Sequence, residues 1–108
     1  MEITSAVTAL TALAHNSRLA VFRLLVEAGP AGMAASAIAE RLEIAPSSLS
    51  FHLKELHHAS MVTATPQGRS IIYSAQFSTM HALLAYLIEN CCAGTSCSPR
   101  RSTARKTG

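Results

Sequence analysis

The chain has 108 residues, 49% of them hydrophobic, which is enough for one small domain with a real core and no more. Its formal net charge of +3 comes from nine Lys and Arg against six acids. Four of the nine (Arg100, Arg101, Arg105 and Lys106) fall in the last nine residues, so the body is nearly neutral and its charge alone argues little for nucleic acid. No apolar run escapes interruption by polar or charged residues for long enough to span a bilayer. The opening Met1-Glu2-Ile3 lacks the basic region and apolar block of a secretory signal, so the expected location is the cytoplasm.

In chain order, residues 3–15 place Ile3, Val7, Leu10 and Leu13 on one side of a helix. Asn16 suits the N-cap of a second helix running to about Glu27, with Leu19, Phe22, Leu25 and Val26 as its apolar side. Ala28-Gly29-Pro30-Ala31-Gly32 breaks it. A short helix from about Ala35 to Leu42 buries Ile38 and Leu42. Glu43-Ile44-Ala45 makes a tight turn, and Pro46 fits the first position of a fourth helix to about Ala59. That helix buries Leu49, Leu53 and Leu56 and presents Ser47, Phe51, Lys54 and His58 opposite, with Ser48 and His52 on a flank. Two short strands, Met61 to Thr65 and Ser70 to Ala75, flank a Pro66-Gln67-Gly68-Arg69 turn. A last amphipathic helix covers Phe77 to Asn90, and everything from Gly94 onward is rich in Ser, Thr and Arg.

Two short helices joined by a tight turn and followed by a two-stranded ribbon predict a mainly α winged helix-turn-helix, α1-α2-α3-α4-β1-β2-α5. The expected organisation is a DNA-binding and dimerisation domain over residues 1–92 and a cysteine-containing, then basic, disordered tail over residues 93–108. The first and last helices are more apolar than so small a body can cover, which predicts a homodimer through them. The basic tail reads equally as a salt-dependent DNA tether or as an inert extension.

The three cysteines, Cys91, Cys92 and Cys97, lie within seven residues. A secreted disulfide framework uses an even number spread along the chain, and adjacent cysteines pair poorly. In a reducing compartment these remain thiols open to a metal or metalloid.

Three stretches resemble the ArsR family of arsenical-resistance repressors: Leu10-Thr-Ala-Leu-Ala-His-Asn-Ser-Arg-Leu-Ala-Val-Phe-Arg-Leu-Leu25, Leu49-Ser-Phe-His-Leu-Lys-Glu-Leu56 and Gln67-Gly-Arg-Ser-Ile-Ile-Tyr73. The resemblance implies a dimer that binds operator DNA when ligand-free and leaves it on binding metal or metalloid. Both usual ligand sites of that family are empty. Met33-Ala-Ala-Ser-Ala-Ile-Ala39 has no thiol where the best-known members carry cysteines. On the last helix His81 matches a zinc-sensor position, but Thr79 stands in place of the expected Asp and Cys92 in place of the next His. The Asn90-Cys-Cys-Ala-Gly-Thr-Ser-Cys97 run resembles a subgroup whose arsenite site lies just beyond the last helix.

Three thiols match the ligand count of trivalent arsenic or antimony, a soft acid that selects thiolate over imidazole or carboxylate. Zinc normally takes four ligands and lacks an obvious fourth here. The expected metalloid ligands are therefore Cys91, Cys92 and Cys97, with As(III) or Sb(III) as inducer and no organic cofactor. The expected DNA contacts are Ser47, Ser48, Ser50, Phe51, His52, Lys54 and, at the wing tip, Arg69. His15 reads as a packed helix-end residue, and Arg18 as a phosphate contact or the partner of a glutamate. A thiol redox sensor, or a zinc- or cadmium-responsive repressor on the same fold, is the alternative. An arsenic-handling enzyme is disfavoured, because the chain has no glycine-rich nucleotide loop and no acid–base pair.

Overall fold

The computed structural model describes residues 1–94. Among them the order is α1 (Ile3–Leu13), α2 (Asn16–Ala28), β1 (Met33–Ala34), α3 (Ala35–Leu42), α4 (Pro46–His58), β2 (Val62–Gln67), β3 (Ser70–Ala75) and α5 (Phe77–Leu87), followed by a 3-10 turn over Cys91–Gly94. This is the winged helix-turn-helix plan that the sequence predicts, with one strand more than expected. Cys97 and the basic tail lie outside the described residues.

Inside this single chain, α1 packs by its small residues. Ala6, Ala9 and Ala12 are buried, whereas Ile3, Val7 and Leu10 stay exposed. Methyl side chains let the helix axis approach α2 and α4 closely, and the larger residues are left facing outward. Ala14 departs from helical geometry with ψ 57°, which ends α1 two residues before the expected boundary. The freed end has a partner, because the Arg18 Nε–H donates to the Ala12 carbonyl at 2.6 Å. Arg18 thus closes a helix end instead of pairing with a glutamate.

The N-cap of α2 is His15, not Asn16. His15 has extended backbone, and its Nδ1 accepts from the Ser17 N–H at 3.1 Å, while Asn16 is already the first helical residue. Leu25, Val21 and Phe22 carry this helix into the core, with Ile38 from α3 and Leu49, Leu53 and Leu56 from α4. The α3–α4 turn places Glu43 in the left-handed region (φ 54°, ψ 46°), and the Ile44 N–H returns to the Ala39 carbonyl at 3.0 Å. Pro46 occupies the start of α4, where its missing N–H costs no helical bond.

The sheet is antiparallel with order β1-β3-β2. β1 pairs Met33 with Tyr73 and Ala34 with Ile72. Two residues carry no alternation to read; the visible signal was Gly32, whose φ of +70° and close approach to the Tyr73 carbonyl admit no side chain. β2 and β3 pair from Val62↔Ala75 out to Gln67↔Ser70, leaving Gly68 and Arg69 as a two-residue loop. Gly68 has φ +65° and Arg69 does not share it, the type II′ pattern that matches strand twist. Pro66 and Gln67, expected in the turn, belong to β2.

α5 ends at Leu87, three residues short of expectation, and Asn90 follows with φ 59°, a conformation Asn tolerates better than most residues. Leu83 is its one buried residue; Leu84, Leu87 and Ile88 are exposed.

Candidate nucleic-acid interface

The exposed side of α4 carries five of the seven residues expected to meet DNA. Ser47, Ser48, Ser50, Phe51 and Lys54 are all exposed, on a helix held from below by Leu49, Leu53 and Leu56. Phe51 is 56% exposed, a large apolar ring standing free on a polar helix face. Arg69 is exposed at the tip of the hairpin. Serine hydroxyls and a lysine reach phosphates and base edges, and an aromatic ring makes apolar contact with a thymine methyl.

His52 is placed differently from the expectation of a flank contact. It is only 9% exposed, and its Nδ1 is buried without a hydrogen-bond partner. Its ring lies 4.8 Å from that of His15, and Phe51 meets it edge-on at 5.9 Å. The ring contacts Phe51–His52 and His52–His15 run from the exposed face of α4 to the α1–α2 junction. Its burial alone has a signal in the sequence, since His52 is three residues after Leu49 and four before Leu56.

Burial, then the neighbouring His15 and Arg18, lowers the His52 pKa from its ordinary value of 6.5. The unfolded chain therefore takes up this proton first. The stability His52 contributes is held above its unfolded value and lost as pH falls through 6.5 toward the folded pKa. We expect the urea midpoint to drop between about pH 7.5 and pH 5.5, and the drop to shrink in a His52→Leu variant. A pH profile unchanged by that substitution would place the titrating group elsewhere.

At the far end of the molecule, the Sγ atoms of Cys91 and Cys92 stand 3.5 Å apart on an exposed turn just beyond α5. Asn90, Cys92 and Ala93 all have positive φ there, which curls the backbone tightly after the helix. His81 and Thr79 lie on α5, about ten and twelve residues before Cys91. Among the described residues no group of three His, Cys, Asp or Glu side chains is arranged to hold a metal. A 490 Å³ cleft between α1, the end of α4 and the start of α5 is lined by hydroxyls such as Thr4, Ser5 and Ser78 together with His58, and no carboxylate lines it.

A family model for a helix-turn-helix domain matches residues 13–64, from the end of α1 into β2. No curated protein sequence matches the chain. Among solved structures, NolR from Sinorhizobium fredii is 30% identical with a TM-score of 0.63, over 82% of this chain and 85% of NolR. An ArsR-like transcriptional regulator from Rhodococcus sp. RHA1 is 25% identical with a TM-score of 0.71, over 84% and 82%. The chain belongs to the ArsR family of helix-turn-helix transcriptional regulators. A third similar structure is the homodimeric winged helix-turn-helix DNA-binding domain Mb0332 from Mycobacterium bovis, a possible ArsR-family regulator, 20% identical over 89% of each chain with a TM-score of 0.65. In this ArsR-family chain the helix-turn-helix is α3–α4, and the wing is β2–β3. No helix among the described residues is long and apolar enough to cross a membrane.

Proposed function

We propose that this regulator is an arsenite- or antimonite-responsive repressor. It binds operator DNA in the cytoplasm as a ligand-free homodimer and leaves it when Cys91, Cys92 and Cys97 take up the metalloid. The observation that carries the reading is the vicinal pair, whose sulfurs lie 3.5 Å apart; uptake of a metalloid needs the cysteines as thiolates, so the reading applies to the reduced protein. With metal–thiolate bonds of about 2.3 Å, two sulfurs 3.5 Å apart subtend an angle of about 100° at a shared centre. That is narrower than a tetrahedral angle and suits a pyramidal three-coordinate centre with a lone pair. Gly94 gives the chain freedom to bring Cys97 back toward the pair.

The exposed apolar residues of α1 (Ile3, Val7, Leu10) and of α5 and its C-cap (Leu84, Leu87, Ile88) support dimerisation through these two helices, and the Mycobacterium bovis relative is a homodimer. Cys91 and Cys92 follow α5 after the short link Ile88-Glu89-Asn90. Closing them around one centre tightens the turn at the end of a dimer helix and changes the angle between the two recognition helices. A dimer reads two half-sites at one spacing, so a small change of angle costs affinity.

The test is release of a duplex from upstream of the protein's own gene. Arsenite is expected to free the wild-type protein from it at concentrations where zinc and peroxide do not. The Cys91→Ser, Cys92→Ser, Cys97→Ser triple variant should bind the duplex normally and ignore arsenite. Arsenite-dependent release by the triple variant would refute the assignment. Release by peroxide that dithiothreitol reverses, without any arsenite response, would make the protein a redox sensor.

A further inference from the structure

We infer that the wing carries an apolar wedge, Ile71 with Pro66, that presses against the sugar walls of the DNA minor groove. This rests on the DNA-binding reading and extends it to residues outside the serine, Phe51 and Lys54 face.

The β2–β3 register puts three pairs on one face of the hairpin: Val62 with Ala75, Ala64 with Tyr73, and Pro66 with Ile71. Their exposure rises steadily along the hairpin. Val62 and Ala75 are buried in the core, Ala64 and Tyr73 are half-buried, and Pro66 and Ile71 are exposed, Ile71 by 46%. The face that packs on the core thus continues outward as an apolar ladder. At the strand rise of about 3.3 Å per residue, its last rung stands roughly 13 Å beyond the first. Nothing in the body covers that rung.

What meets it follows from its surroundings. Residues 62–75 contain no acid, and their one charge is Arg69 at the tip. An acid-free finger with an apolar flank and a cation at its end suits a polyanion whose groove walls are sugar C–H groups. β2 is one of the two edge strands, and Pro66 lacks an N–H that a further strand would need on that side, which disfavours strand addition at the β2 edge. The type II′ loop at Gly68 keeps the hairpin narrow, so the side chains of Arg69 and Ile71 enter one groove together.

Ile71→Thr retains a β-branched residue and hence the strand, while removing the apolar tip. It should weaken binding to the upstream duplex by about fivefold to tenfold without altering the slope of affinity against salt. Arg69→Ala should lower that slope by about one. Pro66→Ser is a second probe of the same rung and should act in the same direction as Ile71→Thr. In hydroxyl-radical footprints, which report on sugars from the minor groove, Ile71→Thr should lose protection only at the positions flanking the recognition-helix contact. If Phe51→Ala weakens binding but Ile71→Thr and Pro66→Ser both stay within twofold of wild type with unchanged footprints, the wedge is refuted and the DNA-binding reading stands. If none of the three affects binding, the DNA-binding face itself is misplaced.

Discussion

Replacing Gly32 with alanine should cost about 2–4 kcal/mol of folding stability, lowering Tm by roughly 10–20 °C in a domain of this size. Two costs combine at this position. The backbone sits at φ +70°, where any residue with a Cβ is strained, and that Cβ would collide with the Tyr73 carbonyl and crowd Ile72 Cγ2 at 3.0 Å. The obstacle is backbone, so no side-chain rotation relieves it. The strand pair β1–β3 must separate or tilt, and β3 is half of the wing. Gly68→Ala separates the two costs, since Gly68 also has positive φ (+65°) but nothing lies within 4 Å of the added carbon. It should lose only about 1–2 kcal/mol. Thermal melts of both variants give the comparison, and equal losses would show that the contact with Tyr73 is not the main term.

The second large effect is on assembly. Val7→Glu with Leu84→Glu should convert the proposed dimer to a folded monomer and lower affinity for a two-half-site duplex by a hundredfold or more, about 3 kcal/mol. Both positions are more than half exposed in the single chain, so the substitutions leave the core of each protomer intact. Across a dimer interface the same positions would have to bury carboxylates without partners, at several kcal/mol each. Sedimentation should report the monomer, with unchanged helical circular dichroism. A double variant that still sediments as the wild type does would remove α1 and α5 from the interface.

The helix-turn-helix was legible because its signals are local. Leu49, Leu53 and Leu56 recur at helical spacing, Pro46 marks the start of α4, and the run to Gly68-Arg69 alternates as strands do. What escaped depended on partners distant in sequence. Hydropathy points to Ile3, Val7 and Leu10 as the packed side of α1, yet helix-to-helix distance selects Ala6, Ala9 and Ala12. β1 exists only because β3 is there to pair with it, and its two residues have no pattern of their own. The role of His52 turned on His15, thirty-seven positions earlier in the chain, which no spacing rule connects to it. The cysteine cluster was plain in the sequence. The 3.5 Å separation of Cys91 and Cys92 adds the geometry that a count of cysteines lacks.

Under the proposed mechanism, arsenite and operator affinities are two readings of one coupling free energy, and they must change by the same factor. The most direct test of the account is therefore the affinity of the dimer for arsenite, measured with and without saturating operator duplex. A coupling of about 1–3 kcal/mol predicts that the duplex weakens arsenite binding about fivefold to 150-fold, by the same factor as arsenite weakens binding of the duplex. An arsenite affinity unchanged by DNA would contradict it, because the thiols would then have no leverage on the recognition helices.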